Sequence, residues 1–98
     1  MTTFEDIQRL LHAHLGELRR NYNVERIGIF GSFVRGQAQE KSDVDLLVQF
    51  SRPVGFVKFM KLENHLQEIL DRKVDLVSRK ALKPHIGKQI LEEVRYVA

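Results

Sequence analysis

The chain has 98 residues, 43% of them hydrophobic and 30% charged, with a formal net charge of +3 and no cysteine. That is the size of one domain around one core. It excludes disulfides, thiolate zinc sites and a thiol nucleophile, and no apolar run nears the roughly 20 residues of a membrane-spanning helix.

Thr3 is placed to cap a helix running to about Asn21, with Phe4, Ile7, Leu10, Leu11, Leu15 and Leu18 recurring at helical spacing. Asn21-Tyr22-Asn23 breaks it, and Val24 to Phe30 reads as a strand with Ile27 to Phe30 as its buried run. Gly31-Ser32 ends that strand. Ser32 opens a helix of barely one turn, which Gly36 stops because glycine enters the left-handed region at little cost. Gln37 to Lys41 is a polar loop, Asp43 to Phe50 a second strand, and Ser51 to Gly55 a turn. A long helix is expected over Phe56 to Leu70, a third strand over Lys73 to Val77, and a last helix from Pro84, which suits a first helical turn. The pattern leaves residues 94–97 open between helix end and short edge strand. Strands alternating with helices predict an α+β fold, a small mixed sheet with helices packed on it.

The N-terminus, Met1 to Asp6, has no basic flank and no apolar core, so no signal peptide is expected. With the absence of cysteine this fits a reducing, cytoplasmic setting. Basic residues gather at Arg19-Arg20, at Arg72-Lys73 and between Arg79 and Lys88, but no aromatics interleave with them as a stacking platform for bases requires. Nucleic acid is therefore not expected as a direct ligand. His12 and His14 diverge on their helix, and His65 and His85 are isolated.

The acids carry more. On a strand Asp43 and Asp45 face the same way and Val44 the other. Two carboxylates ~6–7 Å apart repel by ~2–3 kcal/mol at an effective dielectric near 20, a cost removed by a cation or by wide exposure. Hard oxygen ligands favour magnesium, with manganese as an alternative, over zinc. Asp43 can also be read as a solvated turn residue. Asp75, in the apolar run Lys73 to Val77, either pairs with Arg72, Lys73 or Arg79 or joins Asp43 and Asp45. Gly31 allows close backbone approach, Ser32 offers a hydroxyl at a helix start, and Arg35 follows three residues on, a set suited to an anion. Glu92 and Glu93 read as solvated charge.

Gly31-Ser32-x-x-Arg35-Gly36 followed by Ser42-Asp43-x-Asp45-Leu46-x-Val48 resembles the signature of the polymerase-beta-like nucleotidyltransferases, and the length and Asp75 resemble its minimal branch, the MNT domain proteins. Val34 departs from the pattern, where a smaller residue is expected. The resemblance implies one minimal nucleotidyltransferase domain over residues 1–98. In it Gly31, Ser32, Arg35 and Ser42 would hold the triphosphate, and Asp43, Asp45 and Asp75 would bind two magnesium ions. Asp75 would also help deprotonate the attacking hydroxyl. It further implies transfer of a nucleoside monophosphate, AMP from ATP, to a hydroxyl of a small helical HEPN-type partner, with the chain as its antitoxin. Two other readings stay open: a module that neutralises its partner by contact alone, and a small RNA-contacting domain. Association with itself or with another chain is compatible with each.

Overall fold

A computed structural model describes residues 2–97. Thr3 caps helix α1 (Phe4–Ala13) with a reciprocal box: its hydroxyl accepts from the Asp6 N–H at 3.1 Å while the Asp6 carboxylate accepts from the Thr3 N–H at 3.0 Å. The expected single helix is two. The chain takes a non-helical step at His14, whose ring Nδ1 lies 2.9 Å from the Leu10 carbonyl, and α2 runs over Leu15–Tyr22. Both halves of the apolar stripe still reach one core, Ile7 and Leu11 from α1, Leu15 and Leu18 from α2. Asn23, in the left-handed region at φ 58°, ends α2.

Four strands follow: β1 (Val24–Phe30), β2 (Val44–Phe50), β3 (Val74–Ser78) and β4 (Arg95–Tyr96). Their order in the sheet is β3-β2-β1-β4, with β1 antiparallel to β2 and β4, and β2 parallel to β3. Between β1 and β2 lies the one-turn helix α3 (Ser32–Arg35), stopped as expected by Gly36 at φ 71°. Helix α4 (Phe56–Leu70) makes the crossover between the parallel strands, as a parallel pair requires. Its Gln67 and Glu63 side chains accept the Val74 and Leu76 N–H groups at 3.1 and 3.0 Å, which closes the outer edge of β3. A 3-10 turn (Arg79–Ala81) leads to α5 (Pro84–Glu93).

The sheet has two unequal faces. Ile27, Ile29, Val44, Leu46, Val48, Val74 and Leu76 point into the main core with α1, α2 and α4. On the other face α5 covers only part, packing Ile90 and Val94 against Phe30 and Leu47. Strand β4 forms because Gly28 makes room for it: a Cβ there would stand 2.6 Å from the Val94 side chain and 3.0 Å from the Arg95 carbonyl. The Arg26 guanidinium lies 3.6 Å from the centre of the Tyr96 ring, which fastens the strand from its partner. Among the described residues no helix is long and apolar enough to cross a membrane.

Candidate active site

Alternation along β2 puts Val44, Leu46 and Val48 in the core and leaves Asp45 on the partly covered face. The parallel register sets Asp45 beside Asp75 and Val44 beside Val74, so the two carboxylates come off neighbouring strands on one face. Asp43 lies one residue ahead of β2, not within it as the pattern suggested, and is exposed. Asp75 is also exposed, and among the described residues it forms no ion pair, so the alternative of a structural pair with Arg72, Lys73 or Arg79 is not realised.

Asp45 is half-buried, and its pKa is pushed up from 3.8 to about 6. Loss of hydration is the largest cause, followed by the charges of Asp75 and Asp43; Arg35 pulls the other way, and Glu93 adds a further push upward. Its carboxylate rests on Gly31. A Cβ at position 31 would lie 2.0 Å from Asp45 Oδ2, and the Gly31 backbone stands at φ 81°, so glycine is required on both counts. The turn between β1 and α3 and the start of β2 are thus in van der Waals contact, and Ser32 follows directly at the head of α3.

Glu93 is the residue that local pattern missed. From the end of α5 its Oε2 accepts the Gly31 N–H at 3.2 Å and its Oε1 accepts from Arg35 at 2.7 Å. It is therefore a partner of the glycine-serine turn and not a free surface charge. Arg35 also donates to Gln37 through Nε. The Ser42 hydroxyl is engaged in its own loop, accepting from the Gln39 N–H at 2.7 Å. Among the described residues no three Asp, Glu, His or Cys side chains converge into a ready-made ion cage. Asp45 and Asp75 share a face, and the charges of Asp75 and Asp43 both bear on Asp45. A donor set of carboxylate oxygens carrying that repulsion fits a hard divalent cation. A groove of about 730 Å³ lined by Phe50, Arg52, Phe56, Phe59 and Arg79 lies at the other end of β2 and β3, and none of the candidate residues line it.

A family model, the nucleotidyltransferase domain, matches residues 11–97. The chain belongs to that family. The protein adenylyltransferase MntA of Thermococcus cleftensis is 48% identical over 97 residues, spanning 99% of this chain and 98% of the relative. Among solved structures, one described as a candidate minimal nucleotidyltransferase superposes with a TM-score of 0.82 at 33% identity, covering 96% of this chain and 95% of that one. A Shewanella oneidensis complex of a tri-AMPylated HEPN toxin with an MNT antitoxin shares the fold at 22% identity and a TM-score of 0.67, covering 93% of this chain and 71% of that one. The chain is thus a nucleotidyltransferase with the α+β fold of the minimal branch, as the signature implied.

Proposed function

We propose that residues 1–98 act as a single minimal nucleotidyltransferase domain that moves AMP from ATP onto a hydroxyl of a HEPN-type protein partner and so serves as its antitoxin. The observation that carries this reading is the pairing of Asp45 with Asp75 across parallel strands, directly against the Gly31 turn. The near full-length likeness to a protein adenylyltransferase supports it.

In this reading Gly31, Ser32 and Arg35 hold the triphosphate, and Ser42 shapes the loop that delivers Asp43. Asp43, Asp45 and Asp75 would hold magnesium, two ions in this reading, with manganese as a substitute. When bound, the metal neutralises charge on the phosphate oxygens. Asp75, exposed at the sheet edge, takes the proton of the incoming hydroxyl. The hydroxyl oxygen bonds to the α-phosphorus, the bond from that phosphorus to the bridging oxygen breaks, and pyrophosphate leaves. Because α5 covers only part of this face, the partner supplies the missing wall as well as the acceptor. A cysteine-free chain that consumes ATP is suited to the cytoplasm.

The absence of a ready-made ion cage among the described residues favours one rival, a module that neutralises its partner by contact. Mass spectrometry of a small helical HEPN-type partner, after incubation with this chain, ATP and magnesium, separates the two. The first reading expects a gain of one or more AMP units that disappears in the Asp43→Asn, Asp45→Asn double variant. An unmodified partner, or modification that survives in the double variant, overturns the catalytic assignment.

A further inference from the structure

Arg72 lies between α4 and β3, three residues before Asp75, and its side chain is half-buried. The preceding Asp71 stands in the left-handed region at φ 52°, where the chain turns off α4 toward β3. From there one guanidinium nitrogen of Arg72 donates to the carbonyls of Gln39, Glu40 and Ser42, at 3.3 Å for Gln39 and 2.9 Å for Ser42. The guanidinium also lies over the Phe33 ring, 5.4 Å from its centre. Phe33 is the second residue of α3, immediately after Ser32. A single side chain on the β3 side therefore touches the loop ending at Asp43 and the short helix behind the glycine-serine turn.

The fold accepts a penalty for this arrangement. Arg72 Nε is buried and has no hydrogen-bond partner among the described residues. An unmet N–H on a charged group is expensive, so the head is held by its other contacts and not by satisfaction of every donor. Those contacts are to backbone oxygens, so they define where the 39–42 loop runs. The loop is otherwise tied mainly to itself, through the Gln39–Ser42 turn.

We propose that Arg72 is a positioning residue for nucleotidyl transfer. It clamps the loop so that Asp43 is delivered at the height of Asp45 and Asp75, and it keeps α3 in place beside them. The proposal rests on the function proposed above for the carboxylates, and its test separates the two.

Arg72→Gln and Arg72→Lys are compared with the parent chain in two assays. In the first, trypsin cleavage after Lys41 is followed by mass spectrometry on the free chain. Loss of charge-assisted bonds to three carbonyls raises the cleavage rate about tenfold in Arg72→Gln. Arg72→Lys, which can donate to the carbonyls but cannot lie flat over Phe33, falls between. In the second, the magnesium concentration giving half-maximal AMP transfer rises roughly tenfold in Arg72→Gln, while the rate at saturating magnesium stays within about threefold of the parent. A purely structural role would lower the rate in proportion to the folded fraction and leave half-saturation where it was; that result overturns the proposal. Should Arg72→Gln fail to fold, the lysine variant alone carries both readouts, and parental values in it overturn the proposal. If the parent chain transfers nothing, the function proposed above falls, and an unchanged cleavage rate at Lys41 still overturns the clamp.

Discussion

Replacing Asp45 by asparagine is expected to stabilise the protein while removing its activity. Asparagine keeps the shape that rests on Gly31 and removes the charge that Asp75, Asp43 and burial all disfavour. The folded-state pKa, about 6 against 3.8, is raised, so folding favours the protonated acid. The penalty is absent below the unfolded pKa, grows as pH rises from about 4 to 6, and is complete above that. The gap between 3.8 and about 6 corresponds to a ceiling of about 3 kcal/mol. Partial exposure and screening reduce this to roughly 1–2 kcal/mol, or a Tm gain of about 5–10 °C at pH 8 for a chain this size. Thermal melts of both proteins between pH 4.5 and 8 measure it, with the gain shrinking to about a third at pH 4.5. Magnesium should raise the Tm of the parent and leave the variant unmoved, against sodium chloride at matched ionic strength. A variant that melts below the parent at pH 8, or a gain that does not vary with pH, refutes the electrostatic account.

Gly31→Ala meets both the Asp45 carboxylate and an unfavourable φ of 81°, so a loss of more than about 2 kcal/mol is expected by urea unfolding, together with loss of transfer. Thr3→Ala removes half of the capping box, which should cost about 1 kcal/mol in the same assay without changing transfer at saturating substrates. Glu93→Gln removes a negative charge from Arg35 and the Gly31 N–H. Stability should change by less than about 1 kcal/mol, since the pair is partly exposed, while calorimetry without magnesium should show tighter binding of a non-hydrolysable ATP analogue.

Much of this was legible along the chain because it is written in short-range pattern. Alternation placed Asp45 opposite Val44, Thr3 just ahead of the first apolar stripe marked the first cap, and Gly36 marked the end of α3. What escaped depends on partners distant in the chain. Glu93 meets Gly31 across 62 positions, and nothing local distinguishes it from Glu92. Arg72 binds carbonyls, which every residue possesses and none advertises. Strand β4 is two residues long, too short for a period, and is decided by the missing side chain at Gly28. The step at His14 falls inside an unbroken apolar stripe, so periodicity passed over it.

The contact between Gly31 and Asp45 sets two adjacent positions under opposite selection. In a saturation library sorted only for thermal survival, position 31 should stay glycine while position 45 drifts to neutral residues. Sorting for chemistry should restore the acid. A small residue at 45 would relieve the contact but not the backbone, which at φ 81° still disfavours any side chain at 31, so glycine is expected to persist after the acid is lost. Homologues that have abandoned catalysis should therefore lose the acid first and the glycine only afterwards.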